Sequence, residues 1–191
     1  MGREFELKYR ANPEVIGKIA EKFGEFTPIS METTYYDTFD GKLFNRRWTL
    51  RRRMENETSV CTLKIPLEDG SRGEWEVEAP GLITGIPKLC QLGAPMDLMV
   101  LTVNGVGPVC GARFTRLAKT LQLDGCTVEL ALDQGVLTGG GKEQPLCEVE
   151  VELKDGSEEQ AVRFAKTLAG EYSLTEEPDS KYRRALLLAY T

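Results

Sequence analysis

The sequence has no histidine in its 191 residues. That excludes histidine general bases, Ser-His-Asp and Cys-His nucleophile systems, and His-based metal sites. Any metal would be held mainly by carboxylates, which suit hard ions such as Mg²⁺, Mn²⁺ or Ca²⁺. Cysteine is sparse and scattered: Cys61, Cys90, Cys110, Cys126 and Cys147 are odd in number and form no CxxC. This argues against a disulfide framework or a zinc knuckle and predicts a reducing, cytoplasmic setting, with the thiols acting as small buried hydrophobes. No apolar run approaches the roughly 20 residues of a membrane span. The opening MGREFELKY is charged from its third residue and does not read as a signal peptide. Basic residues are in deficit, 24 against 30 acidic ones, for a net charge of -6. Whole-surface attraction to nucleic acid or anionic membrane is therefore disfavoured, while local basic clusters can still bind anions.

What is present fits one domain over residues 1–191, with a core of about 3–188 and enough apolar residues for burial. Arg3 to Arg10 alternates with period two and predicts a strand. Asn12-Pro13-Glu14 is a helix start, with Asn12 as N-cap and the helix running to about Phe23. Further strands are predicted at 31–37, 47–54, 58–65, 74–78, 112–123, 127–134 and 146–153. Asp40-Gly41 and Asp124-Gly125 mark turns. Residues 86–103 predict one or two short helices, Ser157-Glu158-Glu159 caps a helix to about Leu168, and residues 180–189 form a last helical stretch. The fold class expected is α+β, mainly antiparallel β: eight strands closing into a barrel, with peripheral helices.

The charged faces of these strands are segregated by sign. Glu4 and Glu6, Glu74, Glu76 and Glu78, and Glu148, Glu150 and Glu152 form acidic ladders; Arg51 and Arg53 form a basic one. Same-face neighbours lie about 6.5 Å apart. At an effective dielectric near 20 each like-charge pair costs roughly 2.5 kcal/mol, and much less when exposed. For a single strand the ordinary explanation is a solvated face. Repetition over several strands suggests instead a barrel lined by charge, its apolar outer wall covered by the amphipathic stretches 15–23, 162–168 and 185–188. Inward acids would hold metal ions, and inward Arg and Lys a polyanion.

Specific motifs then appear in order. Glu4-Phe5-Glu6-Leu7-Lys8 matches ExExK; Tyr35-Tyr36-Asp37-Thr38 resembles YYDT; Leu50-Arg51-Arg52-Arg53 is similar to LRxR; Thr62-Leu63-Lys64 resembles TLK. An acidic strand at Arg72-Gly73-Glu74-Trp75-Glu76, the ELALDxG-like run Glu129 to Gly135, a late acidic strand at Glu148 to Leu153, and an SKxxR-like Ser180 to Arg184 complete the series. Together they resemble the CYTH superfamily of triphosphate tunnel metalloenzymes, nearest to a stand-alone domain of the bacterial inorganic triphosphatase branch. The resemblance implies an eight-stranded tunnel that hydrolyses inorganic triphosphate to pyrophosphate and phosphate with Mg²⁺ or Mn²⁺. Thiamine or nucleoside triphosphatase and class IV adenylyl cyclase activities occur on the same fold. A polyphosphate-binding module is the non-enzymatic alternative. Many bacterial relatives carry a further C-terminal helical domain, and a homodimer is left open.

The resemblance also implies roles. Glu4 and Glu6 would bind metal, with Glu148 and Glu150 as partners and Glu152 near the same strand's end. Glu129, Asp133 and Glu76 would hold a second metal or position water. Arg51, Arg53, Lys64, Arg116 and Lys181 would bind triphosphate. Lys8 would touch phosphate or hold Glu6, and Arg184 would contact substrate or pair with an acid. Arg52, Arg113 and Lys119 read as solvated charge, and Tyr35 and Tyr36 as packing. Cationic groups and Mg²⁺ would neutralise the anion while a carboxylate or second metal aligns water for in-line attack, with no covalent nucleophile.

Overall fold

Alternating and capped segments become the expected elements in a computed structural model that describes residues 2–3, 5–68 and 72–191. In chain order they are β1 (Gly2–Arg3), β2 (Glu6–Arg10), α1 (Pro13–Phe23), β3 (Thr27–Asp37), α2 (Lys42–Asn45), β4 (Thr49–Glu55), β5 (Thr58–Pro66), β6 (Arg72–Glu78), α3 (Leu82–Gln91), α4 (Asp97–Thr102), β7 (Gly107–Leu123), β8 (Cys126–Gly139), β9 (Lys142–Gly156), α5 (Glu158–Tyr172), β10 (Thr175–Glu176) and α6 (Lys181–Tyr190). The Asn12 carboxamide oxygen accepts the Val15 N–H at 2.9 Å, and the Ser157 hydroxyl accepts that of Gln160 at 3.3 Å, so both predicted caps form. The β8–β9 hairpin went unread in the sequence. It turns on Gly140 and Gly141, both at positive φ, where glycine carries no steric penalty.

All pairings are antiparallel, in the order β1-β6-β5-β4-β3-β7-β8-β9-β2-β10. The expectation of eight strands in a closed barrel is corrected. Among the described residues the sheet has ten strands and its ladder is not a closed ring. The reason lies at β2. One edge of β2 pairs with β9, while β10 takes the other at Tyr9 and Arg10, and the Glu177 N–H extends that pairing to the Lys8 carbonyl at 2.9 Å. The chain reaches the far end of the sheet only through β1, which pairs with β6 at Gly73 and Glu74.

The two faces are covered differently. Outer-face residues of β2, β8 and β9 (Tyr9, Val128, Leu130, Val149, Val151) pack with Ile16 and Ile19 of α1 and with Ala161, Ala165 and Leu168 of α5. The outer face of β4 to β6 buries Leu50, Leu63 and Trp75 against Leu89 of α3 and Leu98 of α4. Residues 86–103 are thus largely cover for the sheet. The exception is α6, expected outside. Its Ala185 and Leu186 pack on Met31, Tyr35, Cys110, Ala112, Phe114, Leu137 and Leu146. By strand alternation these share a face with Arg53, Arg116, Asp133 and Glu148, so α6 lies on the charged face and fills part of it. The inner face is therefore half apolar, because a helix needs an apolar bed.

Gly135, the glycine of the ELALDxG-like run, sits opposite Phe114 where β8 crosses β7 closely. A Cβ added there would stand 2.1 Å from the Arg113 carbonyl oxygen and 2.5 Å from the Phe114 Cα. Gly135→Ala should destabilise the protein by about 2 kcal/mol through forced strand separation, measured by urea unfolding. An unchanged midpoint would show that the strands yield freely.

Candidate active site

Register places the ladders of charge side by side. Glu6 of β2 lies opposite Glu152 of β9, and Glu152 opposite Glu129 of β8, giving three carboxylates in one row across three strands. One step along, Lys8 faces Glu150. The next row runs Arg10, Glu148, Asp133 and Arg116 over β2, β9, β8 and β7. On the other arm of the sheet, Glu76, Thr62, Arg51 and Tyr35 form a row over β6, β5, β4 and β3, with Glu74 and Lys64 beside it. Both arms line a single cavity of about 630 Å³.

The β4–β5 wall supplies cations. Arg53 is buried; its Nε donates to the Thr33 hydroxyl at 3.0 Å, and the Glu55 carboxylate is 3.7 Å away. Burial, then repulsion from Arg51, pulls its pKa down to about 10, so it remains a cation at neutral pH. Arg51 lies 3.8 Å from Glu74 and 4.0 Å from Glu76, and Lys64 lies 3.6 Å from Glu74. Glu76 is half exposed and accepts the Thr62 hydroxyl at 3.2 Å.

The floor is a buried ion cluster at the start of α6. The Lys181 ammonium reaches Glu148 and Glu150 at 2.6 Å and Asp133 at 2.8 Å. Arg116 forks onto Asp133 at 2.8 and 2.7 Å and also donates to Glu150. Arg184 pairs with Glu148. The Phe114 ring underlies both cations, 5.3 Å from the Lys181 ammonium and 5.8 Å from the Arg116 guanidinium. Burial opposes the charges of Arg116, Glu150 and Lys181, yet their partners prevail. The Glu150 carboxyl is held well below the usual carboxylate range by Lys181 and Arg116. Asp133 and Glu150 keep Lys181 and Arg116 protonated above their ordinary values.

Most residues singled out in the sequence converge on this place. Glu6, Lys8, Arg51, Arg53, Lys64, Glu76, Arg116, Glu129, Glu150, Glu152 and Lys181 line the cavity. Glu4 lies outside the described residues. Asp133 and Glu148 are fully buried beneath the wall, within 4.8 Å of Glu150. Arg184 sits behind the floor, so of its two expected roles the structure displays the pairing with acids, Glu148 and Glu177. Lys119 is not simply solvated: its ammonium donates to the Phe23 and Gly24 carbonyls at 2.8 and 2.7 Å and caps the end of α1. Arg113 does pair at the surface, with Glu143. Sequence reading missed Glu55, Arg72 and Lys154 in the cavity wall. Period-two continuation from Arg53, Glu74 and Glu152 could have found all three. It also missed Glu177, which lies outside any strand ladder and had no periodic signal.

The antiparallel sheet thus gathers arginine and lysine against rows of carboxylate around one cavity. The CYTH domain model matches residues 2–186, and the chain belongs to the CYTH family. It is 28% identical, over 195 residues, to a Haemophilus influenzae protein named inorganic triphosphatase; the match takes in 98% of this chain and 55% of that one. The chain thus spans about half the length of this curated relative. Its fold is similar to that of a Bacillus halodurans protein provisionally named an adenylate cyclase, with a TM-score of 0.69 at 20% identity over 96% of this chain and 98% of that one. A Hippeastrum protein, provisionally an adenylyl cyclase with a dominant triphosphatase activity, matches with a TM-score of 0.67 at 18% identity over 94% and 93% of the two chains. No helix among the described residues is long and apolar enough to cross a membrane.

Proposed function

We propose that the protein hydrolyses inorganic tripolyphosphate to pyrophosphate and phosphate, using Mg²⁺ or Mn²⁺. The observation that carries this reading is the buried, cationic Arg53 facing the same cavity as Lys8, Arg51, Lys64, Arg116 and Lys181. So many cations around one space suit a linear chain of phosphates, with the arginine forks on its oxygens. The name of the Haemophilus influenzae relative supports the same substrate.

Among the acids that would hold the metal, we favour those on the row beside the cavity. Asp133, Glu148 and Glu150 are near enough to share an ion, but the Lys181 ammonium already fills their centre. The row Glu6, Glu152 and Glu129 lines the cavity and would supply hard carboxylate oxygens to a divalent cation, Glu152 giving up its 2.9 Å ion pair with Lys154. The ion, when bound, neutralises phosphoryl oxygens. Lys181 and Arg116 at the floor meet the charge that builds at one end of the anion during reaction, while Arg51, Arg53 and Lys64 bind it and fix its line along the wall. Glu76, steadied by the Thr62 hydroxyl, is placed to orient water and accept its proton.

Phosphate release from tripolyphosphate, ATP and thiamine triphosphate, measured side by side, tests this. Tripolyphosphate should be turned over fastest, excess EDTA should stop the reaction, and Glu6→Gln should lower kcat by about a hundredfold or more while the fold survives. Release that persists in chelator would refute the metal. Tight tripolyphosphate binding without turnover would make the protein a binding module.

A further inference from the structure

We infer that Glu177, in the link between β10 and α6, is a positioning residue that sets Lys181 in the cavity floor; the inference rests on the function proposed above. Glu177 is tied to β2 through its backbone, since its N–H donates to the Lys8 carbonyl at 2.9 Å. Its side chain is 1% exposed, although it is a carboxylate outside the cavity. One oxygen accepts the Arg10 Nε at 2.5 Å; the other accepts the Asp179 N–H at 3.0 Å. The Arg184 guanidinium lies 3.4 Å away.

Arg184 stands one turn after Lys181 on α6, on the same face. It bridges Glu177 to Glu148, and Glu148 holds the Lys181 ammonium at 2.6 Å. A relay therefore runs from half-exposed Arg10 on β2 through Glu177, Arg184 and Glu148 to Lys181. The cluster contains four acids (Asp133, Glu148, Glu150, Glu177) and four bases (Arg10, Arg116, Lys181, Arg184), so its formal charge is zero. Neutralising Glu177 leaves Arg184 with Glu148 as its one anion. Arg184 then competes with Lys181 for that carboxylate, and the ammonium loses its fixed place. Arg51, Arg53 and Lys64 on the other wall are untouched, so ground-state grip on the anion survives.

The test is a double-mutant cycle on the full chain with tripolyphosphate. Glu177→Gln should lower kcat roughly ten- to a hundredfold with KM changed less than about threefold, as expected for a misplaced catalytic group. In a Lys181→Met background the same substitution should lower kcat no further. Should Glu177→Gln fail to fold, Glu177→Asp retains the charge one methylene short, and the cycle is read with that variant. Multiplicative losses, with wild type active, would overturn the positioning role alone. A wild type that neither binds nor hydrolyses tripolyphosphate would overturn the function and this inference with it.

Discussion

Lys181→Met is expected to cost about 3 kcal/mol of stability at pH 7 and to lower kcat about a hundredfold, leaving a residual turnover that can be measured. The ammonium is the centre of three carboxylates, two of them with no exposure at all. Removing one partner of a buried ionic group leaves the others without compensation, which costs about 3–5 kcal/mol. Arg116 and Arg184 remain, so the lower figure applies. Against a total stability of about 5–15 kcal/mol that is a large fraction. The pH dependence has a definite sign. Glu150 is depressed in the folded protein, so its contribution is complete above about pH 4.3 and lost as pH falls through its folded value. Lys181 is raised, so its contribution is complete below about pH 10.4 and lost as pH climbs through its folded value. Wild type should therefore be most stable between about pH 5 and 10. In the variant Glu150 loses the first of the cations that hold its carboxyl down, so acidification harms the variant less. The gap between the two proteins should narrow as pH drops toward 4. Urea titrations at pH 7 and pH 4 measure it; a constant gap would mean that packing, not charge, is what Lys181 supplies.

The same cluster shows what the sequence could and could not disclose. Alternation on β2, β4, β6, β8 and β9 marks which residues share a face, and that information is local. It identified Glu6, Arg51, Arg53, Glu129, Glu150 and Glu152 before any fold was known. Which cation meets which anion is not local. Nothing in the strands of Asp133, Glu148 and Glu150 reveals that a lysine arrives among them from a helix roughly thirty to fifty residues later. The placement of α6 failed for a related reason. Its sequence has Lys181 and Arg184 on the face that also carries Ala185, and a helix so patterned can cover either side of a sheet. Only the apolar bed of Met31, Tyr35, Phe114 and Leu137 decides, and its members come from three strands distant in sequence. Closure of the sheet was misread because β10 has two residues, too few to produce a period, yet it occupies the edge of β2.

Arg53→Met should make the ligand-free protein more stable and the site much weaker. Arg53 is the wall cation whose burial is least compensated: one hydroxyl at 3.0 Å, one carboxylate at 3.7 Å, and Arg51 repelling it from two residues away. A fall from an ordinary 12.5 to about 10 represents on the order of 3 kcal/mol of unfavourable charge in the folded state. That cost is present below about pH 10 and relieved as pH rises past it, the reverse of the Glu150 case. Methionine keeps much of the volume and carries no charge, so after the lost Thr33 bond and altered packing a net gain of about 1 kcal/mol is expected. A phosphate chain in the cavity gives the guanidinium a closer anion than Glu55 at 3.7 Å, so the unfavourable burial is released on binding and adds to affinity. Loss of a charge-assisted bond should weaken tripolyphosphate binding about 30- to 100-fold. Thermal melts with and without tripolyphosphate read both effects at once: the variant should melt above wild type alone and gain far less from the ligand. A variant that melts lower in both conditions would make Arg53 a structural residue, and one that binds as before would remove it from the site.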